Sequence, residues 1–233
     1  LDAGDYIQGD PTVSVSQGKT AIELMNLAGY DAATIGNHEF DYGYANFKEI
    51  TKDAKFPVVA ANVLVDGKAE NGHTVFTADN GKKIGVFGLS TPETATKAHP
   101  AKIQGVTFPA GKDMFAIAEA EVKALEAENC DYIVCLGHLG IDDESTGNRS
   151  IDLMEAVEGI DLFIDGHSHS TLEEVQAAAG DKPITSTGTK LANIGVATIS
   201  AEGEIAVENV SAEGLAGDEV IAARAAAIQK QID

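Results

Sequence analysis

Four short clusters in this sequence of 233 residues combine metal-ligand and acid–base side chains, and each follows a glycine. In chain order they are Gly4-Asp5, Gly36-Asn37-His38 with Asp41 three residues on, Gly137-His138, and Gly166-His167-Ser168-His169. Glycine, lacking a Cβ, lets the backbone come close to a bound ion. The candidate ligands Asp5, Asn37, His138, His167 and His169 are one carboxylate, one amide and three imidazoles. Mixed oxygen and nitrogen donors suit Zn, Mn, Fe or Co better than Ca or a thiolate-selective site. One tetrahedral Zn would not use all five. A carboxylate such as Asp5 can bridge two ions, and His167 and His169, alternating along an extended segment, can reach one each. Two ions about 3.5–4 Å apart clamp the attacking and leaving oxygens of an in-line displacement and make hydroxide at neutral pH. His38 is then better explained as an acid or transition-state hydrogen-bond donor, with Asp41 orienting the ring and holding it charged.

Taken singly, each residue has a blander role. Asp5 suits a turn or helix cap, Asn37 a left-handed turn, His38 a satisfied core position, and His138 a structural histidine after a strand. His167-x-His169 is harder to explain without a metal. Joint occurrence decides: four of the six histidines fall in these clusters. His73 and His99 fall in loop stretches and read as solvated surface residues.

The elements that must position these clusters are strands ending at glycine. Asp31–Ile35 reads as a short buried strand before Gly36, Tyr132–Leu136 leads into Gly137-His138, and Leu162–Ile164 into Asp165-Gly166-His167. In open α/β sheets that carboxyl rim gathers ligands and chemistry. Helical spacing is expected from Gly18 to Tyr30, Tyr44 to Ala54, Lys112 to Asn129 and Ile151 to Val157, with a strand at Pro57–Asn62. Asp79-Asn80-Gly81 is hairpin turn chemistry between Thr74–Ala78 and Lys83–Gly88. Thr91–Pro109 reads as loop. After His169 the pattern is all-β, with Ala192–Ser200 and Glu204–Val210 around Ala201-Glu202-Gly203. An Ala-rich helix from an Asp218 cap to Ile232 then reads, by its isolated position, as a linker to something beyond.

Composition narrows the partners. With 16 Lys and Arg against 37 Asp and Glu, the net charge is −21, which excludes polyanion binding by a general basic surface. A phosphate substrate would need local positive charge from metal ions or a few placed side chains. No apolar run approaches the ~20 residues of a membrane span. Cys130 and Cys135, five apart around one strand, point to opposite faces and are expected as unpaired core residues.

The ordered clusters resemble those of the calcineurin-like metallophosphoesterases, and the string Asn37-His38-Glu39-Phe40-Asp41 looks like their 5'-nucleotidase branch, with UDP-sugar hydrolases and 2',3'-cyclic-nucleotide phosphodiesterases. The resemblance implies an α/β fold, a four-layered α/β/β/α sandwich of mixed sheets flanked by helices. It implies two divalent ions, Zn or Mn, with Asp5 bridging, Asn37, His138 and His167 on one ion and His169 on the other. It also implies His38 and Asp41 as the catalytic dyad, and Asn37 and His38 as groups meeting the substrate phosphate. The expected reaction is hydrolysis of a small-molecule nucleotide ester, with no nucleic-acid polymer as partner. The expected location is extracellular, periplasmic or cell-surface. The family's opening Asp-x-His is not in this sequence. The expected layout is therefore residues 1–217 as a catalytic domain trimmed at its start and 218–233 as a linker helix toward an absent substrate-binding domain. An unpaired sheet edge at that start is expected to favour association. A metal-binding unit without turnover, or a sister hydrolase of cyclic diesters or sulfur esters, are the alternatives.

Overall fold

The computed structural model describes residues 1–69 and 71–232; Asp233, at the end of the expected linker helix, lies outside them. The helices are α1 (Pro11–Ser14), α2 (Lys19–Ala28), α3 (Tyr44–Ile50), α4 (Thr94–Lys97), α5 (Lys112–Ala127), α6 (Ser150–Ala156), α7 (Leu172–Ala179) and α8 (Glu219–Ile232). The strands are β1 (Ala33–Thr34), β2 (Val58–Val59), β3 (Leu64–Val65), β4 (Lys68–Ala69), β5 (His73–Thr77) and β6 (Lys83–Ser90). They continue with β7 (Val106–Thr107), β8 (Tyr132–His138), β9 (Leu162–Ile164), β10 (Ile184–Thr185), β11 (Asn193–Ile199) and β12 (Ile205–Ser211).

A five-stranded sheet of order β10-β9-β8-β6-β5 is the backbone of the fold. Four of its strands run parallel and β5 pairs antiparallel to β6. Its central strands are continuous apolar runs because both faces are covered. On one face lie Met114, Ala118, Val122 and Leu125 of α5, Leu153 and Met154 of α6, and Val175 of α7, packed on Phe87, Cys135 and Phe163. The opposite face presents Val86, Val134, Leu136 and Leu162 to Ala32, Ile205 and Val207. That inner layer comprises the parallel pair β1-β2 and the hairpin β11-β12. Ala21, Ile22 and Met25 of α2 and Phe47 and Ile50 of α3 then cover Ala33 and Ile35. Helices, sheet, strands and helices thus stack as the mixed α/β sandwich the sequence leads one to expect.

Several expectations change. The tail is not all-β: α7 intervenes, capped by Thr171, whose Oγ1 accepts from Glu174 N while Glu174 returns a bond to Thr171 N. Thr91–Pro109 is not all loop, since it contains α4 and β7. The carboxy-terminal helix is docked rather than isolated. Arg224 Nη2 lies 2.9 Å from Glu23 Oε2 on α2, and Ile228 is buried. Its Asp218 cap is present, accepting from Val220 N and Ile221 N. Both cysteines are free, with Cys135 buried.

His73 is not a solvated loop residue. It opens the edge strand β5, and its ring bridges two carboxylates of α5 and its C-cap, Nδ1 to Glu121 at 2.5 Å and Nε2 to Glu128 at 3.0 Å. Both partners are acceptors, so the geometry calls for an imidazolium donating from both nitrogens. Partial burial alone would lower the ring's pKa, but the two carboxylates outweigh it and raise it. A raised folded-state pKa stabilises fully below the unfolded value, about 6.5, and the contribution is lost as pH rises through the folded value. The wild-type thermal midpoint should therefore fall more steeply than that of His73→Gln as pH rises above about 6.5. The difference should amount to about 1 kcal/mol or less, since Glu128 is half exposed. Superimposable pH profiles would show that the bridge contributes nothing.

Candidate metal centre

Every candidate residue sits at or just beyond the carboxyl end of a parallel segment. Asp2 bridges Ala33 in parallel, and the chain then turns at Gly4 and Asp5, both with positive φ (91° and 68°). β1 leads through Ile35-Gly36 to Asn37, β8 ends on His138 itself, and β9 leads through Asp165-Gly166 to His167. The first two turns nearly touch: a Cβ at Gly36 would lie 2.2 Å from Asp5 Oδ1, and one at Gly4 would lie 2.6 Å from Gly36 N. Only glycine fits at either place.

Asp5, His138 and His167 bring one ligand atom each within 4.8 Å of one another. His138 Nδ1 lies 2.6 Å from the Ala3 carbonyl, so Nδ1–H donates there and Nε2 is left as an acceptor. That Nε2 is 3.0 Å from Asp5 Oδ2 yet makes no well-aligned hydrogen bond. The His138 and His167 ring centroids are 5.1 Å apart. Asn37 joins them through its neighbour, since His38 N–H donates to Asp5 Oδ1 at 2.8 Å. Asn37 Oδ1 is buried with no hydrogen-bond partner. An orphaned buried acceptor, His138 Nε2, beside a carboxylate and a second imidazole is what a divalent cation satisfies. Asn37, one residue before the amide that Asp5 accepts, carries a second orphaned acceptor, so the residues present fit such an ion. His169 is exposed, with φ 54°, and lies outside the group.

The electrostatics agree. Burial lowers the His167 pKa and the charge of His138 adds to it, favouring a neutral ring. For His138, burial alone would lower the pKa, but Asp5 reverses the direction and raises it. A cation between the two can take the place of that proton. His38 and Asp41 stand at the rim, paired Nδ1 to Oδ2 at 2.8 Å with side chains 37% and 39% exposed, against 2% for His138. The dyad occupies one 3-10 turn, closed by Asp41 N–H to the His38 carbonyl at 3.0 Å. Lys102 Nζ donates to the Asp41 carbonyl, placing a cation beside the dyad. Arg149 and Arg224 are each paired with carboxylates, on Asp152 and Glu23.

Sequence reasoning passed over three carboxylates. Glu39 is fully buried and accepts from four backbone N–H groups; burial and the Asp5 charge push it up to about 8. Asp165 is buried beside the His138 turn. Glu93 Oε2 is 3.1 Å from His167 Nε2 and 2.6 Å from Lys97 Nζ. Burial raises the Glu93 carboxyl, but bonds from Lys97, Ser145 and His167 outweigh that and hold it at about 2. Glu39 and Asp165 lay inside the strings that drew attention to the site. For Glu93 the one local signal was Lys97 four residues on.

Residues 1–171 match the family model described as calcineurin-like phosphoesterase. The chain is 34% identical over 219 residues to the trifunctional nucleotide phosphoesterase protein YfkN of Bacillus subtilis, a match covering 78% of this chain and 14% of that protein. It is 32% identical over 193 residues to the 5'-nucleotidase of Diplobatis ommata, covering 79% of this chain and 31% of that one. The crystal structure of calcineurin-like phosphoesterase YfkN from Bacillus subtilis superposes with a TM-score of 0.84 at 25% identity, covering 99% of this chain and 82% of that one. The chain spans less than a third of the length of these two curated relatives.

Proposed function

The chain belongs to the calcineurin-like phosphoesterases, and on that premise we propose that it is the metal-binding part of a divalent-metal-dependent hydrolase of nucleotide phosphate esters. The orphaned acceptor His138 Nε2 grouped with Asp5 and His167, together with the unpartnered buried Asn37 Oδ1, carries the proposal. Asp5, Asn37, His138 and His167 would hold one ion, Zn or Mn by donor type, and His169 would serve a second with Asp5 shared. When bound, such ions supply Lewis acidity toward phosphoryl oxygens and bring the pKa of water near neutral.

The chain's own groups do the rest. Asp41 accepts from His38 Nδ1–H, which fixes the ring and leaves Nε2 as the atom turned toward a phosphoryl oxygen. Asn37, whose neighbour His38 is tied to Asp5 through the backbone, is positioned to meet the same phosphate. With a net charge of −21, little else on the chain attracts an anion, and Lys102 supplements the site. A nucleotide as substrate rests on the relatives, and a periplasmic, extracellular or cell-surface setting on the family resemblance alone. One observation favours a second reading, a metal-binding unit without turnover: His169 stands exposed and outside the ligand group.

Supplied with Mn²⁺, the chain is expected to release phosphate from AMP, to lose at least about tenfold in rate on chelation, and to regain it when the ion returns. Metal uptake with no phosphate release selects the second reading. Absence of both uptake and release sinks the two together.

A further inference from the structure

The four ligand-bearing turns are fastened in pairs by two buried carboxylates that do not themselves belong to the ligand group. Glu39 Oε2 accepts from Asp5 N and Gly36 N, both at 2.7 Å, and Oε1 from Tyr6 N at 2.9 Å and Ile7 N at 3.3 Å. One side chain thus ties the Asp5 turn to the turn that carries Asn37 and His38. Asp165 Oδ1 accepts from Leu139 N at 3.1 Å, Gly140 N at 3.0 Å and Gly166 N at 2.9 Å. That atom ties the residues following His138 to the residue preceding His167.

We infer that Glu39 and Asp165 are positioning residues, each setting the separation of two ligand turns before any ion arrives. The inference rests on the metal-binding reading above and concerns which groups make the site rigid.

Backbone strain shows why clamps are needed. Asp5 and His167 both have positive φ, 68° and 78°, a region that non-glycine residues hold only where their surroundings enforce it. Glu39 binds the amide of Asp5 itself, and Asp165 the amide next to His167. N–H donors reach both oxygens of Glu39 and leave no acceptor for a carboxyl proton, so the geometry calls for the carboxylate although burial and the Asp5 charge raise its pKa. Glutamine at 39 would keep the shape but must turn its NH2 toward one pair of amide donors, breaking that pair. At 165 all three donors converge on Oδ1 while Oδ2 has no partner, so an asparagine oxygen could still accept them and alanine is the substitution that removes the set. Partners that orient ligands in this way typically account for 10- to 100-fold in metal affinity.

The test is isothermal titration of Mn²⁺ into wild type, Glu39→Gln, Asp165→Ala and the ligand variant Asp5→Ala, with amide hydrogen exchange of the metal-free proteins. Glu39→Gln should bind Mn²⁺ about 10- to 100-fold more weakly, with faster exchange confined to Asp5, Tyr6, Ile7 and Gly36. Asp165→Ala should do the same at Leu139, Gly140 and Gly166. Should it not fold, Asp165→Ser, too short to hold all three amides, is expected to weaken binding in the same direction, and wild-type affinity there would overturn the Asp165 clamp. If Asp5→Ala loses binding while both clamp variants bind as wild type, the clamps are refuted and the metal site stands. If Asp5→Ala binds like wild type, the metal reading itself fails and the inference with it. Should Glu39→Gln not fold, Glu39→Asp keeps the charge with a shorter reach. It is expected to weaken Mn²⁺ binding while releasing only some of the four amides, and wild-type affinity there would overturn the inference.

Discussion

Replacing His38 with alanine should lower kcat by about 100- to 1,000-fold while leaving divalent-metal affinity at the wild-type value, the scale seen when one transition-state hydrogen-bond donor is removed. Retained affinity follows from the geometry. His38 touches Asp5 only through its backbone N–H, which alanine keeps. Its side chain is 37% exposed, so truncation opens no core cavity. The loss should fall on kcat and kcat/KM together, because the donor acts on charge that develops during the reaction. Asp41→Asn should give a smaller loss, since it only weakens the hold on the ring at Nδ1. Steady-state kinetics on AMP decide the matter, and unchanged turnover in His38→Ala would remove this residue from the chemistry.

The second large effect is thermal. An ion present at about 100 times its Kd stabilises the native state by about 2.7 kcal/mol. At about 2–4 °C per kcal/mol for a domain of this size, that raises the wild-type midpoint by roughly 5–11 °C. In His138→Ala the increment should shrink to nearly nothing, because Nε2 is the orphaned acceptor pointing toward Asp5. His138 is almost fully buried, so alanine will also lower the metal-free midpoint through a cavity and an unpaired Ala3 carbonyl. The increment, rather than the midpoint, is therefore what scanning calorimetry should compare. His99→Ala, on an exposed turn, should retain the full increment. Equal increments in wild type and His138→Ala would mean that His138 binds no ion.

What the sequence reveals of this site is what is local. A strand, a glycine and a ligand are consecutive residues, so the four clusters and the dyad could be named before any contact was known. Partners far apart in the chain could not. Glu39 reaches Asp5 across 34 positions, Glu93 reaches His167 across 74, and His73 meets Glu121 and Glu128 across 48 and 55. Arg224 and Glu23, which dock α8, are 201 apart, so an amphipathic helix with a clear cap looked unattached. Strand ends were overdrawn for a related reason. Ala32–Ile35 is continuously buried, yet only Ala33 and Thr34 pair with β2, and burial does not report where pairing stops. The helix Leu172–Ala179 was legible in principle, since Thr171 and Glu174 carry the spacing of a capping box.

The most direct measurement is an anomalous difference map from crystals of the chain grown with Mn²⁺. A peak should appear about 2.0–2.2 Å from the Asp5 carboxylate, His138 Nε2 and a ring nitrogen of His167, with Asn37 Oδ1 as a further ligand. Ordered Mn²⁺ bound elsewhere, touching none of these four residues, would contradict the account.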